Sequence, residues 1–411
     1  MRFYLETYGC AANQGNSESF SAALIEKGHL PSSLEEADLV IVNTCIVTGK
    51  TERRMKRRLS QLQGERLVIA GCLPSAIHEA VRGISCREVM GILDRPAGLE
   101  MGEEFRPEES IPRRRQPAQN LCAIVNISEG CRGRCSYCIV RRARGALRSK
   151  TVQELAGEVQ RRLAEGVVEV QLASQDAAAY GLDLGSSLPE LLDAVAGIDG
   201  DFRVRVGMMN PDLLSPILDD LIRSYENPKI YKFLHLPVQS GSDAVLAGMR
   251  RGYSARDFLD MVGRFRAASP DLTLYTDVIS GFPGETEEDA RATEALIRRA
   301  EPDKVNVTMY SSRPGTEASS LEDMPSRFKK DRSRRITLLW QDIAGRRNSR
   351  YLGKMIVAQV TEKGKEGTMM ARSENYRKIV VCEPMSLGSV HGFKIVKTTP
   401  FYLTGEVANR E

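Results

Sequence analysis

Three cysteines are spaced for metal chemistry within one short segment, Cys131-x-x-x-Cys135-x-x-Cys138. Three thiolates in one loop can bind three corners of a cubic 4Fe–4S cluster and leave its fourth iron open, whereas electron-transfer ferredoxins usually supply four cysteines. Zinc is the alternative, but it prefers four ligands on paired C-x-x-C arms, and no second arm lies nearby. The spacing therefore predicts a cluster with one vacant iron, at which a reactant can bind.

Three further cysteines are far apart in the sequence but share one kind of position. Cys10, Cys45 and Cys72 each fall at or just after the end of a predicted strand. The carboxyl ends of the strands in an open parallel sheet share one edge, so these thiols can converge there. Convergence would suit a second three-thiolate cluster, although a buried cysteine is often only a small hydrophobic residue. The remaining cysteines have no such placement, and we expect them in the core: Cys86, Cys122 and Cys382.

The elements that must position the second trio lie in residues 1–95, where short apolar strands alternate with helical patterns. This alternation predicts an open parallel α/β sheet with helices on both faces. Strands are predicted at residues 3–6, 39–43, 67–70 and 87–90, and helices at 17–27, 50–63 and 74–82. Residues 96–120 are polar and proline-rich without periodicity, which is typical of a linker.

Residues 121–349 contain six further strand–helix units, with the first cysteine trio directly after the first strand. Six units predict a partial (β/α)6 barrel, in which function gathers at the carboxyl ends of the strands. The strands are predicted at 122–127, 167–173, 202–206, 232–236, 272–279 and 304–309. The helices between them are predicted at 151–165, 188–195, 212–223, 255–268 and 287–299, and a basic helix at 328–350 closes the unit.

The last segment, residues 350–411, has short β-rich runs at 355–360, 378–381, 392–396 and 402–407, split by glycine and proline. It is predicted to form a small β-barrel. Basic residues in it are interleaved with aromatic ones, a combination that suits single-stranded or looped RNA. The candidates are Lys354, Arg372, Lys378, Lys394 and Lys397, with Tyr376, Phe393 and Phe401.

Composition excludes several classes of protein. Of 411 residues, 42% are hydrophobic and 27% charged, which fits neither a disordered nor a fibrous chain. No apolar run approaches the roughly 18 residues of a membrane-spanning helix, and no secretory signal is recognisable, so we expect a cytoplasmic protein without membrane contact. Net charge is +4, but residues 326–354 carry ten Lys/Arg against two acidic residues, which favours a polyanionic partner.

The cysteine loop and its strand context resemble those of radical S-adenosylmethionine enzymes, and the chain as a whole resembles the methylthiotransferases of that superfamily. The C-terminal segment resembles a TRAM domain, a small RNA-binding barrel. Matches run in order through most of the chain. They include the three N-terminal cysteine contexts, Gly130-Cys131, Gln175-Asp176, Tyr180-Gly181, His235-Leu236-Pro237-Val238-Gln239-Ser240-Gly241, Met249-Arg250-Arg251-Gly252-Tyr253, Gly281-Phe282-Pro283-Gly284-Glu285-Thr286 and Tyr310 to Thr316.

The resemblance implies two 4Fe–4S clusters, one on Cys131, Cys135 and Cys138 and a sulfur-carrying one on Cys10, Cys45 and Cys72, with S-adenosylmethionine as cofactor. Arg205 to Pro211 resembles the archaeal and eukaryotic branch, which modifies N6-threonylcarbamoyladenosine in tRNA. An electron donor of the flavodoxin or ferredoxin kind and a sulfur donor are implied, but the sequence identifies neither. Ser174, where many relatives have glycine, and Arg141, where bacterial relatives often have proline, depart from the common pattern.

Four residues are predicted to contact the cofactor, and none is assigned as a catalyst. Tyr137 matches an aromatic position beside the adenine, and Arg205 is a candidate for the carboxylate because arginine binds carboxylates in a bidentate way. Gln239 and Ser240 follow the fourth barrel strand and could face the cofactor, as could His235, although a hydrogen-bonded core histidine is the better interpretation there. Arg144 and Arg148 are either functional or part of a solvated basic loop.

Two alternative functions remain open from the sequence. Methylthiolation of a ribosomal-protein aspartate would use the same six cysteines, although the basic C-terminal segment and Met208-Met209-Asn210-Pro211 argue against it. A non-catalytic iron–sulfur protein that binds RNA is the other alternative, and cleavage of S-adenosylmethionine by the reduced protein would exclude it.

Overall fold

The computed structural model describes residues 1–92 and 121–408, so the predicted linker at 96–120 lies outside the described residues. The N-terminal unit is a parallel sheet with strand order β2-β1-β3-β4-β5. Its strands are β1 (Arg2–Thr7), β2 (Leu30–Pro31), β3 (Leu39–Thr44), β4 (Gly64–Gly71) and β5 (Cys86–Val89), and its helices α1 (Ala11–Glu26), α2 (Gly49–Leu62) and α3 (Cys72–Ala76), followed by a 3-10 turn at His78–Val81.

Local sequence explains the elements that carry the site. β3 is buried along its whole length, as expected for a central strand covered on both faces. Helix α2 begins where the Thr48 hydroxyl accepts a hydrogen bond from the Thr51 N–H, and it buries Met55 and Leu59, four residues apart on one face. The opposite face is left to charged side chains.

The central unit is the expected partial barrel of six parallel strands. Two three-stranded sheets, β10-β9-β6 and β11-β12-β13, are linked because Tyr231 N–H donates to Val204 O at 3.0 Å. The strands are β6 (Cys122–Asn126), β7 (Ser128–Glu129), β8 (Arg148–Ser149), β9 (Glu169–Ala173), β10 (Arg203–Val206), β11 (Phe233–His235), β12 (Thr273–Ser280) and β13 (Lys304–Met309), where β7 and β8 form a separate antiparallel pair.

Helices cover the outside of this barrel and bury its large hydrophobic core. They are α4 (Val140–Arg144), α5 (Val152–Ala164), α6 (Leu188–Ala196), α7 (Pro211–Leu214), α8 (Leu218–Ser224), α9 (Asp243–Gly248), α10 (Ala255–Ala268), α11 (Glu287–Ala300) and α12 (Ser326–Ser349). The single predicted helix at 212–223 is two helices with a 3-10 turn at Ser215–Ile217 between them, because Pro216 cannot continue the hydrogen bonding of α7.

The C-terminal unit is a closed five-stranded barrel in the order β14-β15-β16-β18-β17. Its strands are β14 (Met355–Lys363), β15 (Met369–Ser373), β16 (Lys378–Val381), β17 (Val390–Thr398) and β18 (Leu403–Val407). The sequence analysis missed β15, whose Met-Met-Ala-Arg-Ser lacks β-branched residues. The expected α/β fold with a small C-terminal barrel is confirmed.

Tyr376, in the turn between β15 and β16, joins the two barrels. Its hydroxyl donates to Glu169 at 3.1 Å, and its ring packs edge-on against Tyr231 and tilted against Phe233 at centroid distances of 4.8 and 4.9 Å. Glu169 and Phe233 begin β9 and β11. The small barrel therefore closes the amino-terminal end of the large one, opposite the end from which the loops of the first cysteine trio extend.

Candidate functional site

The first trio lies in the loop between β7 and α4, which backbone contacts hold against the barrel. Ser136 donates from its hydroxyl to Gly248 O at 2.8 Å and from its N–H to Met249 O at 3.1 Å. Cys131 N–H donates to Gly145 O at 3.3 Å, and Cys138 N–H to Cys135 O at 3.2 Å. The loop is thus fixed at both ends while its three thiols stay half-buried.

Gly133 keeps the space between two of these thiols open. A β-carbon at this position would lie 3.2 Å from Cys131 Sγ and 3.8 Å from Cys135 Sγ. The Gly133 N–H also donates to Cys131 Sγ at 3.2 Å, a contact typical of thiolate sulfur in clusters. Burial raises the pKa of Cys131 to about 11 and raises that of Cys138, so cluster binding must displace protons.

The residues of the second trio lie at the carboxyl edge of the N-terminal sheet. Cys45 and Cys72 directly follow β3 and β4, and Cys10 precedes α1 shortly after β1. A β-carbon on Gly9 would lie 3.2 Å from Cys45 Sγ, so the segment carrying Cys10 runs against Cys45. Burial, with smaller contributions from the nearby Cys10 and Cys45, raises the pKa of Cys72 to about 11. Cys10 is exposed while the other two are buried.

Asn13 organises this second trio. Its amide donates to Tyr8 O at 2.6 Å and Thr44 O at 2.9 Å, and its carbonyl oxygen lies 3.5 Å from Cys72 Sγ. One side chain from α1 thus ties together the three turns that bear the thiols. Within residues 1–92 and 121–408, no three His, Cys, Asp or Glu side chains converge closely enough to hold a single ion.

Polar atoms without partners mark a third part of the site, at the carboxyl end of β9. Ser174 Oγ, both terminal atoms of Gln175 and Asp176 Oδ2 are buried and have no hydrogen-bond partner in the described part of the chain. Asp176 Oδ1 accepts from the N–H groups of Ala178 and Asn210 at 3.1 and 2.9 Å. Burial raises the pKa of Asp176 to about 6. Buried unpaired polar groups are costly, so these atoms fit a bound polar ligand.

Of the predicted cofactor contacts, Tyr137 lies in an apolar cluster with Met249, Phe282 and Tyr310. Arg205 lies in the barrel interior with its guanidinium 4.9 Å from the Phe233 ring centroid. The cofactor contacts of Tyr137 and Arg205 stay predictions.

Gln239 has a left-handed backbone with φ of 69°, and its N–H donates to Asp277 O at 2.8 Å. Ser240 is buried with its hydroxyl 3.3 Å from Thr293 Oγ1, on the side of α11. His235 Nε2 lies 2.7 Å from Asp277 Oδ2, which fits a hydrogen-bonded core residue. The cofactor contacts of Gln239 and Ser240 also stay predictions.

Several expectations about charge and burial are wrong. Cys382 is exposed just after β16, and Cys86 and Cys122 are only half-buried. In the basic helix α12, three side chains are buried in ion pairs, so its excess charge is not all available to a partner: Lys329 with Asp323, Arg332 with Glu285 and Arg347 with Asp303. Among the candidate RNA contacts, Arg372, Tyr376 and Phe393 are buried, while Lys354, Lys394, Lys397 and Phe401 are exposed.

The sequence analysis missed a basic surface on α2, which begins four residues after Cys45. Lys50, Arg53 and Arg57 are exposed and have no ion-pair partner among the described residues. Arg54 on the same helix stacks on the ring of Tyr8, 5.1 Å from its centroid. The surface formed by Lys50, Arg53, Arg54 and Arg57 therefore borders the second trio, and the run of basic residues in the sequence could have indicated it.

In the part of the chain that the structure covers, no helix combines the length and apolar composition needed to cross a membrane. Comparison with protein families matches residues 125–297 to the radical SAM superfamily, 349–408 to the TRAM domain and 2–90 to uncharacterized protein family UPF0004.

Among curated proteins, the chain is 40% identical to a probable threonylcarbamoyladenosine tRNA methylthiotransferase of Archaeoglobus fulgidus, with 99% of both chains covered. It is 32% identical to the threonylcarbamoyladenosine tRNA methylthiotransferase of Drosophila melanogaster, covering 100% of this chain and 78% of that one. Among solved structures, the radical S-adenosylmethionine methyltransferase TsrM from Kitasatospora setae matches with a TM-score of 0.54 at 16% identity, covering 77% of each chain, which is a likeness of fold.

Proposed function

This chain belongs to the family of threonylcarbamoyladenosine tRNA methylthiotransferases, and we propose that it adds a methylthio group to C2 of N6-threonylcarbamoyladenosine beside the anticodon. One observation carries the proposal. Two separate cysteine trios lie at strand ends of a chain that is alike over its full length to relatives of that name. The reaction takes place in the cytoplasm and draws on an electron donor of the flavodoxin or ferredoxin kind.

Cys131, Cys135 and Cys138 would hold a 4Fe–4S cluster, at which S-adenosylmethionine would bind. When bound, the cluster and S-adenosylmethionine would supply radical chemistry for breaking the C2–H bond, because a side-chain base contributes only roughly 10²–10⁴-fold. The unpaired atoms of Ser174, Gln175 and Asp176 support this assignment. As a carboxylate, Asp176 would accept a hydrogen bond from an N–H of the cofactor, which is the strong, charge-assisted kind.

Cys10, Cys45 and Cys72 would hold the second cluster, whose chemistry would be to supply the sulfur of the methylthio group. The exposed position of Cys10 leaves this trio open to an incoming reactant, while Asn13 fixes its other side. The proposal that these thiols are cluster ligands rests on their convergence and on the space that Gly9 leaves beside Cys45.

The tRNA contacts the protein on the basic surface of α2 as well as on the C-terminal barrel. Unpaired exposed arginines and lysines attract RNA phosphates, and the basic surface of α2 borders the second trio, because Arg54 stacks on Tyr8, two residues before Cys10. The C-terminal barrel contacts the RNA through its exposed basic and aromatic side chains, which are Lys354, Lys394, Lys397 and Phe401.

Nucleoside mass spectrometry of tRNA from cells lacking this gene tests the proposal. We expect the methylthio form of threonylcarbamoyladenosine to disappear and the unmodified form to accumulate, with recovery on re-expression of the wild-type chain but not of Cys45→Ala. Undisturbed methylthiolation in the deletion strain would refute the proposal and return attention to a ribosomal-protein aspartate.

A further inference from the structure

Arg144 is the last residue of α4, six residues beyond Cys138, yet it contacts the N-terminal unit. It is only 4% exposed. Its guanidinium donates to Asn13 Oδ1 at 2.5 Å, to Asn16 Oδ1 at 3.1 Å and to Glu129, while its Nε has no partner among the described residues. The interpretation of this side chain as part of a solvated loop is therefore wrong, whereas Arg148 is exposed.

The buried charge of Arg144 lies beside the second trio. The same Asn13 oxygen that accepts from Arg144 lies 3.5 Å from Cys72 Sγ. Arg144 also forms a hydrogen bond with the Cys72 side chain. A cation inside the protein is held next to one sulfur of this trio.

Arg251 has the same relation to the first trio. Its Nη1 donates to Cys135 Sγ at 3.2 Å, and its guanidinium is fixed over the Tyr253 ring at 5.0 Å from the centroid. Each trio is thus contacted by one largely buried arginine through one of its three cysteines. Arg144 reaches across from the barrel to the N-terminal sheet, whereas Arg251 follows α9 within the barrel.

We propose that Arg144 and Arg251 are positioning residues that set, separately, the reduction potentials of the clusters on Cys10/Cys45/Cys72 and on Cys131/Cys135/Cys138. This inference rests on the proposed function. Net charge and hydrogen bonds to the sulfurs set the potential of a cluster, and a cation beside it favours the reduced form, which carries one more negative charge. Because each cluster has its own arginine, the two clusters can have different reduction potentials although they are of the same type.

Redox titration followed by electron paramagnetic resonance tests this, one cluster at a time. A triple alanine variant of Cys131, Cys135 and Cys138 isolates the second cluster, and one of Cys10, Cys45 and Cys72 isolates the first. Arg144→Gln and Arg251→Gln are placed in each background. We expect each substitution to lower the reduced-to-oxidised ratio of its own cluster about tenfold at a fixed potential, which is about 59 mV for one electron.

The other cluster is expected to keep its wild-type midpoint in each case. Arg144→Lys, which keeps the charge, restores most of the midpoint of the second cluster. Asn16→Ala removes a partner of Arg144 but leaves the guanidinium beside Cys72, and it is the matched structural control with an unchanged midpoint. Arg144→Gln could also prevent loading of the second cluster while Asn16→Ala loads normally. That result would support the inference that the positive charge of Arg144 stabilises the thiolates of Cys10, Cys45 and Cys72.

Unchanged midpoints in loaded Arg144→Gln and Arg251→Gln would overturn the inference, as would equal shifts of both clusters by either substitution, or a shift in Asn16→Ala as large as in Arg144→Gln. Failure of the proposed function gives a different result. In that case the wild-type chain itself loads about four irons rather than about eight, and no second cluster exists to titrate.

Discussion

Arg313, in the loop after β13, forms an ion pair at 2.7 Å with Glu52 on α2, and this pair joins the barrel to the N-terminal unit. The arginine side chain is 4% exposed. Although burial acts to raise it, hydrogen bonds from Lys56 and Arg313 hold the pKa of Glu52 below its usual value. The contact fixes α2, and with it the strand end that bears Cys45, relative to the first trio.

Arg313→Gln is expected to destabilise the protein by about 2 kcal/mol, because Glu52 loses a charge-assisted hydrogen bond from a buried arginine but keeps its ion pair with Lys56. Denaturant unfolding measures the loss. Arg327→Gln, at an exposed position of α12, is the matched control and is expected to change stability by less than about 0.5 kcal/mol. Equal stability of the two variants would contradict the role given to this pair.

Cys45→Ala is expected to abolish methylthio transfer while reductive cleavage of S-adenosylmethionine continues, because the first trio is intact. Product analysis by liquid chromatography separates 5′-deoxyadenosine from modified nucleoside. Cys86→Ala, at a half-buried cysteine outside both trios, is expected to retain both activities. Normal methylthiolation by Cys45→Ala would remove the second trio from the mechanism.

Gly133→Ala is expected to prevent loading of the first cluster, because the added methyl group would occupy the space between Cys131 and Cys135. Iron analysis after anaerobic reconstitution should fall from about eight to about four per chain. Gly157→Ala in α5 is the control, since its β-carbon would meet no atom closer than 3.8 Å. Full iron content in Gly133→Ala would show that the cluster does not use this space.

Asp176→Asn is expected to stabilise the cluster-free protein at pH 7.5 and to weaken binding of S-adenosylmethionine. Because burial raises the pKa of Asp176 to about 6, its contribution to stability is complete below about pH 4 and is lost as the pH rises through about 6. The variant should therefore gain up to about 3 kcal/mol over the wild type at pH 7.5 and little at pH 4. A gain independent of pH would contradict the assignment.

Reversal of charge on α2, by Lys50→Glu, Arg53→Glu and Arg57→Glu together, is expected to weaken tRNA binding. Each lost phosphate contact lowers the slope of log K against log salt by about 0.7–0.9. The control reverses Lys330 and Arg334, exposed basic residues of α12, and should leave the slope unchanged. RNA-independent cleavage of S-adenosylmethionine should be the same in both triple and double variants, which confirms that the clusters are intact. Equal salt slopes for the α2 triple variant and the α12 double variant would show that the RNA does not bind the basic surface of α2.

The strand–helix alternation predicted the sheets and the order of the elements, because hydrophobic periodicity reflects burial within each element. The alternation also predicted that Cys10, Cys45 and Cys72 lie at one edge of the N-terminal sheet, because the carboxyl ends of parallel strands share an edge. The ion-pair and hydrogen-bond partners of charged side chains could not be predicted from this periodicity. The sequence left Arg144 as either functional or solvated and made Arg372 a candidate RNA contact. Both are buried, because the acids and amides that pair with them come from distant segments or neighbouring strands. Which basic residues remain free, as on α2, is a property of tertiary structure.

The Tyr376 contact has a consequence for how an adenine arrives. The Tyr376 ring packs against Tyr231 and Phe233 and closes the amino-terminal end of the large barrel. RNA therefore cannot pass through the barrel from that end. Under the proposed function, a purine stacked in an anticodon loop would have to leave its neighbours to reach a site near the two cysteine trios. The target nucleotide must therefore swing out of its stack and enter alone, and an energetic cost of a few kcal/mol for that extrusion becomes part of substrate selection.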